Sequence, residues 1–271
     1  MSVAIASPQH VSLPDFWRTR LRADGFLHLT RAISTNAVAQ ALGTVNAAIG
    51  EYGVRAASLP SLKDDSFVPE VRRADDIMHL LNGSGLADTI AEHILPDGVQ
   101  PVRTSQIALR FPGEDKPVVP HVDGLLAAPF SATSARAPLT VRPQAQLDEQ
   151  TAQRRLHTFT ALVGVYLSDV VAADAGNLVV WPGSHDAVSA FYRERGPNGL
   201  FDGMPPVEHI QPVALKAQAG DVIIANYSLA HAIAPNRSPH IRYAVYFRLY
   251  AHQHEERAWE CLVNPWLEWA V

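Results

Sequence analysis

The chain has 271 residues, 47% of them apolar and 18% charged, with a formal net charge of -5, which describes a soluble globular protein with a sizeable core. The acidic balance argues against a generic nucleic-acid or anionic-membrane surface, since both need a basic field. A single cysteine, Cys261, excludes an intramolecular disulfide and a multi-cysteine zinc site. There is no signal-peptide-like start and no apolar run of the ~18–20 residues a bilayer span requires. The expected setting is cytoplasmic.

The N-terminal third has helical spacing. Ser12 and Asp15 form the pattern of a capping box, with Pro14 in the first turn, Trp17 and Leu21 on one face and Gly25 as the stop. A short strand is expected over 26–29. A second helix opens at Ser34 or Thr35 and carries Val38, Leu42, Val45 and Ile49 on one stripe up to Gly53. The stretch 59–70 reads as a loop, and shorter helical patterns follow over 71–81 and 86–94.

From Val102 the apolar period falls to two. Ile107, Leu109 and Phe111 alternate with Gln106, Ala108 and Arg110, and the strand ends at the Pro112-Gly113 turn. The stretch 124–157 shows no sustained period, and a connection of that length is expected to be a lid or binding loop. Further strands are expected over 158–167, 176–181, 213–215, 222–225 and 227–233, with a long one over 241–250; a helix is expected from Ser184 or His185 towards Arg195. Helices followed by some eight short strands make an α+β fold built on an antiparallel sandwich or barrel. With no convincing linker, the chain reads as one domain over 1–271, with a helical part at about 12–95 and a β core at about 102–250.

The chemistry centres on His121-Val122-Asp123. Residues two apart on an extended backbone face the same side, so one imidazole and one carboxylate can converge on a metal ion. They make two-thirds of the facial triad that cradles non-haem iron(II) with open positions. His231, in an apolar strand-like run, can supply the third ligand. Arg242 opens the next apolar strand, where a buried guanidinium needs an anionic partner, and its planar fork matches a carboxylate. Of the other histidines, His28, His79, His93, His157 and His209 alternate with apolar residues as structural imidazoles do, whereas His10, His252 and His254 lie in terminal polar contexts and are expected to be solvated.

At this point the sequence resembles the phytanoyl-CoA dioxygenase family of iron(II)- and 2-oxoglutarate-dependent oxygenases, over about 12–250. The residues that carry the resemblance are Asp24-Gly25-Phe26, Phe111-Pro112-Gly113, His121-Val122-Asp123 and the run from Gly176-Asn177-Leu178 to Pro182-Gly183-Ser184-His185. Gly220-Asp221, His231, Pro235-Asn236-Arg237-Ser238 and Arg242-Tyr243-Ala244 complete it. The resemblance implies a double-stranded β-helix, a jelly-roll or cupin-like core, buttressed by the N-terminal helices. It implies His121, Asp123 and His231 as iron(II) ligands and Arg242 as the grip on the distal carboxylate of 2-oxoglutarate. Ser238 would add a hydrogen bond there, and Gln106 and Arg110 would face the cosubstrate or substrate. His185 matches a structural turn of the family rather than a ligand. The implied reaction is hydroxylation of a small molecule by dioxygen, with release of succinate and carbon dioxide. Halogenation is disfavoured because Asp123 occupies the position where related halogenases carry a small residue. Two alternatives stay open at the level of sequence: a cupin-like metalloenzyme that does not use 2-oxoglutarate, and a non-catalytic binding protein on the same scaffold. No nucleic-acid or membrane partner is expected, and the sequence assigns no oligomeric state.

Overall fold

The computed structural model describes residues 11–53, 66–113, 117–125 and 148–271. Helix α1 (Trp17–Asp24) begins later than the capping pattern at Ser12 and Asp15 predicts, and its N-cap, Phe16, makes no side-chain cap. The reason is tertiary. The Val11 N–H donates to the Thr89 hydroxyl at 3.1 Å, and that hydroxyl donates back to the Val11 carbonyl at 3.3 Å, holding the entering chain extended. Strand β1 (Phe26–Leu29) and helix α2 (Thr35–Tyr52) follow as expected, the Ser34 hydroxyl accepting from the Ala37 N–H at 3.2 Å as an N-cap. Helices α3 (Asp75–Asn82) and α4 (Leu86–His93) bury Ile77, Leu80, Leu81, Leu86 and Ile90 with no exposed surface. Each such side chain contributes roughly 1.5–3 kcal/mol by leaving water.

The β half begins with β2 (Gln106–Arg110). Helix α5 (Glu149–Arg155), capped by Asp148, lies inside the stretch expected to be loop, most of which, 126–147, is outside the described residues. Then come β3 (Ala161–Tyr166), β4 (Leu178–Val180), α6 (Ser184–Arg195), β5 (Val213–Ala214), β6 (Val222–Asn226), β7 (His231–Ile233) and β8 (Arg242–Leu249). The chain does not stop at β8, where the sequence reading ended. Helix α7 (His254–Val263) follows, with Ala258, Trp259, Cys261 and Leu262 buried.

Among the described residues these strands form two antiparallel sheets. The larger has the order β1-β6-β3-β8-β2 and the smaller β5-β4-β7. This is the open, jelly-roll-like arrangement, not a closed barrel. The N-terminal helices pack on one face of the large sheet, against Ile107, Leu109, Val163, Val165, Val245 and Phe247. The opposite face meets the small sheet, with Ala108, Leu162, Tyr166, Ala244 and Tyr246 between them. Among the described residues no helix is long and apolar enough to cross a membrane.

Several of the short sequence signatures are joints of this frame. Asp221 is buried and accepts from His28 Nε2 at 2.9 Å, from the Arg31 N–H at 2.8 Å and from the Gln218 N–H at 2.9 Å, so it ties β1 to the turn before β6. Gly25, at φ +81°, sits directly beneath the His185 ring, and the Gly183 N–H donates to the Asp24 carbonyl at 3.2 Å. The Asp-Gly-Phe and Pro-Gly-Ser-His segments therefore form one contact. His185 is fully buried, with Nε2 3.2 Å from the Arg22 carbonyl and its ring edge-on to Trp266; burial pushes its pKa down.

Candidate metal centre

His121 lies on a short extended segment that touches the small sheet at one point. Its N–H donates to the His231 carbonyl at 3.0 Å and the His231 N–H donates back at 2.9 Å. Directly paired residues project to the same face, which brings the two imidazole centroids to 4.5 Å. Asp123, two residues along, turns to the same side. At Gly124, φ +74°, the chain then crosses His157, whose N–H donates to the Gly124 carbonyl at 2.9 Å; the space a Cβ would need there is filled by the His157 backbone.

Asp123 Oδ1 stands 3.7 Å from His121 Nε2 and 4.0 Å from His231 Nε2, and the three donor atoms all lie within 4.8 Å of one another. His231 Nδ1 is 3.0 Å from the Leu229 carbonyl. A carbonyl can only accept, so Nδ1 carries the proton and Nε2 keeps the lone pair a metal needs. Its segment is held in turn by Ser184, whose hydroxyl accepts from the Ala230 N–H at 2.8 Å. The Pro-Gly-Ser-His turn thus orients a candidate ligand through Ser184 rather than through its own histidine. Burial alone pushes the Asp123 carboxyl up, but His231, Arg248 and His121 together outweigh it and hold the pKa below the usual carboxylate value. Asp123 is therefore ionised, the ligating form. At 33%, 14% and 12% side-chain exposure, His121, Asp123 and His231 remain reachable from outside.

The face of the large sheet turned to the triad is unusually polar. Strand register sets Arg110 opposite Arg242, Ala108 opposite Ala244 and Gln106 opposite Tyr246. On the other side of β8, Tyr166 faces Ala244, Gly164 faces Tyr246 and Leu162 faces Arg248. Arg242 is buried, with Nε donating to the Gly176 carbonyl at 3.0 Å and Nη1 to the Ala108 carbonyl at 3.1 Å. Gly176, at φ +76°, passes so close to the stems of Arg110 and Arg242 that a Cβ would crowd both. Burial and then the Arg242 charge push the Arg110 guanidinium below its ordinary pKa. Among the described residues no carboxylate pairs with Arg110 or Arg242. Tyr166 and Tyr246 bury their hydroxyls beside Arg242 without a hydrogen-bond partner; Tyr166 Oη lies near the Leu178 main chain but outside bonding geometry. Two guanidiniums and two orphaned phenols make a donor-rich, acceptor-poor lining. That lining matches a bound carboxylate.

Of the residues singled out in the sequence, His121, Asp123 and His231 converge, and Arg242, Arg110 and Gln106 lie on the facing sheet. Ser238 does not offer its hydroxyl to this lining as expected. It donates within its own loop, 2.7 Å from Asn236 Oδ1 and 3.1 Å from the His240 carbonyl, and it accepts from the His240 N–H at 3.3 Å. Asn236 in turn donates to the Arg110 carbonyl at 2.7 Å, so this loop braces the end of β2. The sequence reading missed Arg248, whose Nη2 lies 3.1 Å from Asp123 Oδ2, and it missed both tyrosines. Even spacing along β8 was the available signal, because 242, 244, 246 and 248 share one face. A surface cavity of about 270 Å³ between α5 and the start of α7, lined by Gln153, Leu156, Thr158 and His254, contains none of the triad. The centre is recognised by its donors, not by a cavity.

The family model for Phytanoyl-CoA dioxygenase (PhyH) matches residues 21–244. The chain belongs to this family. Its members are non-haem iron and 2-oxoglutarate-dependent enzymes. Among solved structures the chain is similar to the non-heme alpha ketoglutarate dependent carbocyclase SnoK from nogalamycin biosynthesis, at 19% identity and a TM-score of 0.58, over 90% of this chain and 87% of the other. It is similar to AviO1 from Streptomyces viridochromogenes Tue57, at 20% identity and a TM-score of 0.53, over 86% and 93% of the two chains. HygX from Streptomyces hygroscopicus, solved with nickel and 2-oxoglutarate bound, is similar at 16% identity and a TM-score of 0.54, over 89% and 88%. At these identities the likeness is one of fold. No curated protein matches the chain by sequence.

Proposed function

We propose that the protein is an iron(II)- and 2-oxoglutarate-dependent dioxygenase that hydroxylates a small molecule in the cytoplasm, without a nucleic-acid or membrane partner. The observation that carries this reading is the relation between the triad and β8. Arg248 at one end of the strand touches Asp123, while Arg242, six residues or ~20 Å back along the same face, stands beside Arg110. Between them lie Ala244 and its neighbour Ala108, small enough to leave room for a ligand. Because the Arg242 guanidinium leans along the strand to the Ala108 carbonyl, a dicarboxylate much shorter than that backbone separation, lying over Ala108 and Ala244, would have one end towards the metal and the other at Arg242. HygX, similar in fold, was solved with nickel and 2-oxoglutarate bound, which supports this choice of cosubstrate.

His121, Asp123 and His231 would hold the iron through Nε2, Oδ1 and Nε2, and a three-ligand facial set leaves positions for the cosubstrate and dioxygen. When bound, iron(II) and 2-oxoglutarate supply the oxidant: the cosubstrate loses carbon dioxide to become succinate with one oxygen atom of dioxygen, and the other atom goes to the substrate. The protein's own work is orientation. Leu229 fixes the His231 tautomer, Arg242 grips the distal carboxylate with N–H groups left over from its backbone bonds, and the Tyr166 and Tyr246 hydroxyls donate to ligand oxygens. Arg110, at the same end, adds a second cation that favours a dianionic cosubstrate over a monocarboxylate.

Succinate release over a panel of small metabolites, with iron(II), 2-oxoglutarate and air, tests the reading. Products gaining one oxygen atom are expected. Because the structurally similar enzymes include a carbocyclase and an epimerase, product mass is the deciding readout. Succinate release coupled to a product that gained no oxygen would replace hydroxylation with another oxidative outcome.

A further inference from the structure

The two oxygens of Asp123 are treated differently. Oδ1 is the oxygen turned to both imidazoles, whereas Oδ2 accepts from Arg248 Nη2 at 3.1 Å. We propose that Arg248 is a positioning residue that restricts Asp123 to ligation through Oδ1 alone. This rests on the metal-centre reading above and adds to it an explanation of how the open coordination positions are kept.

A carboxylate left to itself can turn about its last torsion and chelate with both oxygens. At a three-residue centre that would consume a position needed by cosubstrate or dioxygen. A charge-assisted bond from a guanidinium to the outer oxygen opposes the turn and lowers that oxygen's basicity. Arg248 is itself well placed to hold still. It projects from β8 opposite Leu162, its guanidinium stands 5.5 Å from the centroid of the Phe159 ring, and its side chain is 23% exposed. A cation over a ring face gains an electrostatic attraction that fixes its plane. A lysine could supply the charge but not the planar, directional donor. Hydrogen-bond partners of metal ligands commonly change metal affinity by roughly 10–100-fold when removed.

Cobalt(II) in place of iron reports on this without turnover. Cobalt affinity and the visible ligand-field spectrum are measured on the parent, Arg248→Met and Arg248→Lys, with circular dichroism as the folding control. Arg248→Met is expected to bind cobalt about 10–100-fold more weakly and with an altered spectrum, as the carboxylate changes its mode of ligation. Arg248→Lys is expected to recover most of the affinity and to keep the altered spectrum, because it restores charge but not direction. A folded Arg248→Met protein with the parent's affinity and spectrum would overturn the proposal. So would an Arg248→Lys protein whose spectrum matches the parent, which reduces Arg248 to charge balance and remains decisive if the Met variant does not fold. Failure of the parent to bind cobalt would instead remove the metal centre itself, and this proposal with it.

Discussion

His231 and Asp123 each depend on one neighbour, two residues away for His231 and far off in the sequence for Asp123. The carbonyl that sets the His231 tautomer belongs to Leu229, and the cation on the outer oxygen of Asp123 comes from β8. The triad was legible because two of its members share a tripeptide and the third falls in a recognisable run. Arg248 was not, because an arginine in an apolar strand reads the same whether it meets a ligand, a salt-bridge partner or solvent; only strand register settles which. Gly25 is a second residue whose importance is geometric. It adopts φ +81° under the His185 ring. Gly25→Ala is expected to lower stability by more than the ~1–2 kcal/mol that a left-handed conformation costs an L residue, because the added methyl also overlaps the imidazole. Denaturant unfolding measures this, and His185→Ala in the Gly25→Ala background should return part of the loss.

Among the elements, helix α2 was fully legible, with a Ser34 cap, an apolar stripe and a glycine stop, all of them local signals. Helix α5 and helix α7 were not anticipated. In α7 the buried Ala258, Trp259 and Leu262 do recur at helical spacing, yet the segment takes its place from a buried polar joint that no local pattern reveals. Glu268 Oε2 accepts from Thr160 Oγ1 at 2.7 Å and pairs with His254 Nδ1 at 2.8 Å, and Thr158 meets His254 Nε2 at 3.0 Å. This cluster buries His254, which was expected to be solvated, and clamps the C-terminal segment to the start of β3. Burial pushes the Glu268 carboxyl up, but its hydrogen bond and charge interaction with His254 and its bonds with Thr160 and Cys261 more than reverse that, so its pKa is held below the usual value. A carboxyl whose folded pKa is depressed stabilises the fold above its unfolded pKa, near ~4.3, and loses that contribution as pH falls through the lower folded value. Stability of the parent should therefore decline on acidification below about pH 4. Glu268→Gln should be less stable at neutral pH and show a flatter acid limb. An unchanged acid limb in that variant would assign the pH dependence to other carboxylates.

At the scale of the whole molecule, the order of helices and strands was legible from period and punctuation, but the pairing was not. Strands β3 and β6 are buried at every position, between the helices and the small sheet, so they carry no alternation to say which face is which. Their antiparallel partners lie far off in sequence, and pairing at such separation is a property of the closed fold. The same closure puts Arg110 and Arg242 side by side with no acidic partner among the described residues. A dicarboxylate should therefore stabilise the metal-loaded protein as a whole, by about 2.7 kcal/mol at a hundred times its Kd. Thermal unfolding with and without 2-oxoglutarate reads this as a rise in Tm. Arg242→Ala should bind 2-oxoglutarate at least about tenfold more weakly, in line with loss of a charged hydrogen-bonding partner, and should need correspondingly more for the same shift.

The central claim, that a metal held by His121, Asp123 and His231 takes 2-oxoglutarate between itself and Arg242, is tested most directly by anaerobic absorption spectroscopy. Iron(II)-loaded protein titrated with 2-oxoglutarate should develop a weak visible charge-transfer band that saturates, and Asp123→Ala should give none. Absence of the band from iron-loaded parent protein at saturating 2-oxoglutarate would contradict the account.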